Sequence, residues 1–200
     1  MKRQLVFVHG RSQQQKDSIA LKAEWIEAFA KGLAKNGLSL PVAEEDVRFP
    51  FYGDTLYDLV EGKAQDVAAE VIVRGTDTSD DETRFVQAVM EETRTKLGIT
   101  DAQLAELGGQ EVLDRGPLNW GWVQTLLKAV DRFIPHGSGA SIALFTNDVY
   151  QYLNNTAIRT TIDEGVSAAI TPGVETVVVA HSLGTVVAYN LLRQQGQALG

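Results

Sequence analysis

The stretch Thr176-Val177-Val178-Val179-Ala180-His181-Ser182-Leu183-Gly184-Thr185-Val186-Val187-Ala188-Tyr189 constrains this chain most. Its first half is a β-branched apolar run, the composition of a strand buried on both faces. Its second half reads as a helix, and Ser182 sits between the two. A serine on so tight a turn stands above the C-terminal end of its strand, with its hydroxyl exposed. The turn demands small residues two positions before and two after it, and Ala180 and Gly184 stand there. Such spacing is common by chance, and the flanking strand and helix are what give it meaning. The plain alternative is an ordinary βα turn with a capping serine.

A second apolar strand, Gln4 to Val8, lies near the N-terminus and ends in His9-Gly10-Arg11-Ser12. Alone, this reads as a plain strand-ending turn. In this order, however, the two segments resemble the α/β-hydrolase superfamily, whose nucleophile elbow has the pattern G-x-S-x-G, with Ala180 here replacing the first glycine. The resemblance covers these two short segments and, more loosely, a third at Asp46 to Asp54. It implies a parallel sheet with helices on both faces, a three-layer sandwich incomplete on its C-terminal side. It also implies that Ser182 attacks an acyl carbonyl. The oxyanion hole would be the backbone N–H groups of Arg11 and Leu183, with Gly10 letting the backbone approach the substrate. Phe51, Tyr52 and Asp54, at the exit of the second strand, would line the pocket, and His181 would be a packing or pocket residue. The implied substrate is a small-molecule carboxylic ester, lipid-like esters included, with thioesters and amides as alternatives. No metal or organic cofactor is implied.

Composition sets outer bounds. Two hundred residues suit one domain, 1–200, with a sizeable core, and the 44% apolar fraction is globular. A net charge of −8 argues against a nucleic-acid partner. With no cysteine, neither disulfides nor cysteine metal sites form, which suits a reducing compartment. The apolar stretch from Leu5 to Val8 is too short for a signal-peptide core or an integral membrane segment. The expected location is cytoplasmic.

Along the chain, Arg11 to Asp17 is a polar loop. Asp17 or Ser18 then caps a helix with Ile19, Trp25, Ile26, Phe29 and Leu33 on one face, ended by Gly37. Asp46 to Asp54 reads as a short second strand and its exit turn, with Pro50 favouring the strand's end or a sheet edge. Residues 55 to about 145 read as a helical insertion, a lid or cap of the kind that covers lipase-like sites. Within it, Val67 and Val71 mark one helix, and Ser79 with Glu82 a capping box. Thr100 with Gln103 suggests another cap, and Val123, Leu126, Leu127, Val130, Phe133 and Ile134 mark one helix face. Ser141 to Phe145 is the one candidate strand there. The acidic run from Thr76 to Glu82 matches no calcium loop, and Pro135 to Ser141 matches no phosphate loop. Thr146-Asn147 then caps one long helix reaching Pro172-Gly173. Right-handed crossovers place the elbow strand on the opposite side of the first strand from the second.

In the resembled family an acid and a histidine follow the serine. From Leu183 to Gly200 there is no Asp, Glu or His. His9 sits under the oxyanion loop, His181 adjoins the nucleophile, and His136 is the remaining candidate base. Two expectations follow: these residues form the N-terminal part of a longer hydrolase, or the domain is catalytically silent and binds without turnover.

Overall fold

The computed structural model describes residues 2–11, 13, 16–53, 80–117 and 119–199. Asp54, Val67, Val71 and Ser79 lie outside them. Among the described residues the fold is mixed α/β, with a three-stranded parallel sheet and eight α-helices. Chain contacts divide it into two compact units, residues 1–60 with 152–200, and residues 61–151.

The first unit holds the sheet. Its strands are β1 (Arg3–Val8), β2 (Val47–Arg48) and β3 (Glu175–Ala180), in the order β2-β1-β3. The elbow strand thus lies across β1 from β2, as the crossover rule predicts. β1 and β3 pair along their whole length, from Arg3 opposite Glu175 to Val8 opposite Ala180. Arg3 and Glu175 close the start of this ladder with a 2.8 Å ion pair. Beside it, the buried Gln4 amide donates to the Thr176 hydroxyl at 2.9 Å.

Both faces of β1 are buried, which explains its unbroken apolar run. Leu5 and Phe7 pack with Val47 under Trp25, Ile26 and Phe29 of helix α1 (Ser18–Ala34). The Asp17 carboxylate caps α1, accepting from the Ile19 and Ala20 N–H groups at 2.8 and 3.0 Å. Val6 and Val8 alternate to the other side of β1 and are fully buried. Two further helices of the unit, α7 (Thr156–Ser167) and α8 (Leu183–Leu199), pack together, and α8 also packs on β1 and β3. Buried Tyr152 ties this side: its hydroxyl donates to Asp163 on α7 at 2.6 Å and accepts from Asn190 on α8 at 3.1 Å.

The second unit contains helices α2 (Asp80–Leu97), α3 (Asp101–Gly108), α4 (Gln110–Arg115) and α5 (Trp120–Phe133). It also holds most of α6 (Gly139–Asn154). Its core gathers Met90, Leu104, Trp122, Leu126 and Val130. The Thr100–Gln103 capping box is present at the start of α3.

Two sequence expectations are corrected here. Ser141 to Phe145 is helical, the start of α6, and not a strand. Five residues are too few for periodicity to separate the two, and Ser138 begins the helix by accepting from the Ser141 N–H on its hydroxyl. Nor does one helix run from a Thr146-Asn147 cap to Pro172. Thr146 is inside α6, donating to the Ile142 carbonyl at 2.8 Å. Asn155 breaks the run and caps α7, accepting from Ala157 and Ile158 N–H at 3.1 and 3.3 Å.

Candidate active site

The candidate site lies where β1 and β3 end side by side. The His181 N–H donates to the Val8 carbonyl at 3.1 Å, carrying the ladder one residue past the end of β3. The two chains then part, β1 into His9-Gly10-Arg11 and β3 into Ser182. Ser182 has φ 54°, in the left-handed region. A non-glycine residue there is strained by about 1–2 kcal/mol. The turn continues at once into α8: the Gly184 N–H bonds the His181 carbonyl at 3.0 Å and the Thr185 N–H the Ser182 carbonyl at 2.9 Å. The Leu183 N–H finds no acceptor among the described residues, as expected for a donor in the first turn of a helix. It also lies at the positive end of the α8 dipole.

Two glycines let these segments meet. A Cβ on Gly184 would fall on the carbonyl oxygens of Val8 and His9, so only glycine fits against the end of β1. A Cβ on Gly10 would lie 2.7 Å from the Ser182 Cβ and 3.1 Å from its Oγ. Gly10 is therefore in direct packing contact with the serine, and the first and last strands deliver both segments to one edge of the sheet.

His9 is spent on structure. It is fully buried, and its Nδ1 lies 2.7 Å from the Gly10 carbonyl. A carbonyl only accepts, so Nδ1 carries the hydrogen. The bare Nε2 accepts the Tyr52 N–H at 3.0 Å. Burial holds the ring below its ordinary pKa, only partly opposed by the Gly10 bond, so it stays neutral. With both nitrogens engaged, His9 cannot take a proton from Ser182. The Tyr52 ring stacks on His9 at 4.0 Å, and the Tyr52 hydroxyl donates to the His9 carbonyl.

Tyr52 is thus placed beneath His9, 4% exposed, rather than open to solvent. Its hydroxyl, desolvated by burial, is pushed above the ordinary tyrosine range. Phe51 is half-buried, with its ring 5.3 Å from that of His9. His181 is exposed, edge-on to Trp25 at 6.2 Å. His136 is also exposed and belongs to the second unit.

Sequence reasoning missed Gln13. Its amide nitrogen donates to the Arg11 carbonyl at 2.9 Å. As the first of three consecutive glutamines in a polar loop it carries no sequence signal, and only the fold shows what it holds. The Tyr152–Asp163–Asn190 cluster was equally silent, because its members come from three separate helices. Among the described residues no group of three acidic or histidine side chains is arranged to hold a metal ion. No helix among them is long and apolar enough to cross a membrane. Compared with family models, with curated proteins and with solved structures, the chain matched none.

Proposed function

We propose that this protein is a serine hydrolase of α/β-hydrolase type, cleaving carboxylic esters through an acyl-enzyme on Ser182. The observation that carries the reading is the strained Ser182 on the β3–α8 turn, packed against Gly10 from the end of β1. Strain of this kind is concentrated at functional positions. In the proposed step the Ser182 Oγ bonds to the acyl carbon, the carbonyl oxygen becomes an oxyanion, and the bond to the alcohol breaks. The Ser182 proton leaves through a base and returns on the departing alcohol. Water then cleaves the acyl-serine ester. The Leu183 and Arg11 N–H groups receive the oxyanion, at about 3 Å in a productive complex.

The silent binding domain is a second reading, favoured by one observation: His9, the histidine beside the Ser182 turn, has both ring nitrogens engaged. A fluorophosphonate probe separates the two. The enzyme reading expects covalent labelling that Ser182→Ala abolishes, and a binding domain expects none. Labelling that survives Ser182→Ala would sink the assignment. Because loss of a triad base typically costs several powers of ten, this chain should hydrolyse a short p-nitrophenyl ester slowly. Fast turnover would direct substitution to His136 and then His181.

A further inference from the structure

The loop after β1 is held from outside by a residue with no place in the chemistry. The Gln13 Nε2 donates to the Arg11 carbonyl at 2.9 Å, while His9 Nδ1–H donates to the preceding carbonyl, Gly10, at 2.7 Å. Two successive peptide planes are thereby pinned at their oxygens. In a trans peptide the N–H points opposite to the carbonyl. Fixing the Gly10 oxygen fixes the direction of the Arg11 N–H, and fixing the Arg11 oxygen holds the plane that follows, so the Arg11 Cα is held from both sides.

Gln13 is itself seated. A Cβ on Gly53, just past β2, would lie 2.8 Å from the Gln13 carbonyl carbon and 3.0 Å from its Cβ. The Gln13 carbonyl accepts the Lys16 N–H at 3.2 Å, tying the loop toward the Asp17 cap of α1. The amide orientation follows from chemistry, because a flipped Gln13 would set two acceptors against each other at Arg11. Its Oε1 is buried and unpartnered among the described residues. An unmade bond of that kind is unfavourable, so the orientation is maintained by the Arg11 contact and the seat on Gly53.

We propose that Gln13 is a positioning residue that holds the carbonyl following Arg11 and so completes, from the far side of the Arg11 Cα, the hold that His9 places on the Arg11 N–H beside Ser182, with the bare backbone of Gly53 as its seat. The inference rests on the hydrolase reading for its consequence, but the hold itself is independent of any reaction. The test is Gln13→Met, which keeps the side chain's length and removes its donor, alongside Gly53→Ala, which displaces the seat.

Amide ¹⁵N relaxation at Arg11 reads the hold, and the rate of Ser182 labelling by a fluorophosphonate, split into a maximal rate and a half-saturation concentration, reads its effect. Gln13→Met should raise Arg11 amide mobility. It should slow maximal labelling roughly 10- to 100-fold, the scale set by about an ångström of misplacement, with half-saturation and the thermal midpoint close to wild type. Gly53→Ala should reproduce the first two effects. An unchanged Arg11 amide in a folded Gln13→Met protein would overturn the proposal, as would labelling losses that merely track the thermal midpoint across both variants. Should wild-type Ser182 fail to label, the hydrolase reading falls, and Arg11 relaxation still decides whether Gln13 holds the loop.

Discussion

Replacing Gly10 by alanine tests whether the ends of β1 and β3 work as one site. The new Cβ would lie 2.7 Å from the Ser182 Cβ, 3.0 Å from the His181 carbonyl oxygen and 3.1 Å from the Ser182 Oγ. Carbon atoms pack comfortably at about 3.5 Å, so the serine must withdraw by roughly 0.8 Å to reach that separation. Neither neighbour yields easily. The Ser182 Cβ moves only with its strained backbone, and the His181 carbonyl is bonded to Gly184 N–H. Overpacking of this kind destabilises by about 1–3 kcal/mol. A nucleophile displaced by most of an ångström loses about 10²-fold in rate.

Urea unfolding should therefore show Gly10→Ala less stable by about 1–3 kcal/mol, and fluorophosphonate labelling should be about 100-fold slower. Gly32 on α1 is the control, since a Cβ there meets nothing within 4 Å. Gly32→Ala should gain about 0.5–1 kcal/mol from helix propensity alone. A Gly10→Ala protein as stable as wild type would refute the packing argument, and one that also labels at the wild-type rate would refute the link to Ser182.

Two further outcomes are expected. Since burial lowers the His9 pKa, the unfolded chain binds a proton there before the folded one does, so stability is full above about pH 6.5 and falls as pH drops toward the folded value. His9→Asn should flatten part of that decline, by up to about 1.4 kcal/mol per pH unit, and an unchanged slope in urea unfolding at pH 5 to 7 would count against a neutral, locked His9. At Ser182, glycine should be more stable than alanine by about 1–2 kcal/mol, because alanine keeps the left-handed strain and glycine does not; equal unfolding free energies would argue that the turn is unstrained.

The sheet was legible because its signals are local. The β-branched runs of β1 and β3, the Asp17 cap and the small residues around Ser182 each state their local structure within a few positions, although β3, read as buried on both faces, leaves Val177 56% exposed among the described residues. The strand order followed from the resemblance, which put β2 beside β1, and from crossover handedness, which put β3 on the other side. The α6–α7 break was not legible, because Val149 with Leu153 and Ile162 with Val166 each keep four-residue helical spacing, and neither pair marks the boundary between them. Only the Asn155 side chain turning back on Ala157 and Ile158 ends one helix and starts the next. At the site, the serine, its glycines and the His-Gly turn could be read as a pattern. The roles of Gln13, Tyr52 and His9 depend on contacts between segments up to 43 positions apart, such as Tyr52 N–H to His9 Nε2, and no local pattern encodes those.

The locked histidine also separates two jobs that a serine hydrolase must do. Oxyanion binding needs donors fixed in advance, and the geometry around Ser182 is rich in ways to fix them: the first turn of α8, the bonded carbonyls of Gly10 and Arg11, and two glycines that bring the segments together. Proton transfer needs a basic nitrogen with a free lone pair. His9 gives up that lone pair to Tyr52 N–H, and by doing so it aims Gly10. Protonating His9 would break the Tyr52 bond and loosen the loop it holds. On the proposed reading, then, His9 serves the oxyanion side by being unable to serve as the base. Variants of His9 should consequently lower the Ser182 labelling rate through the position of the loop. That loss should persist at alkaline pH, where a missing base would be partly compensated by hydroxide and a misaligned oxyanion donor would not.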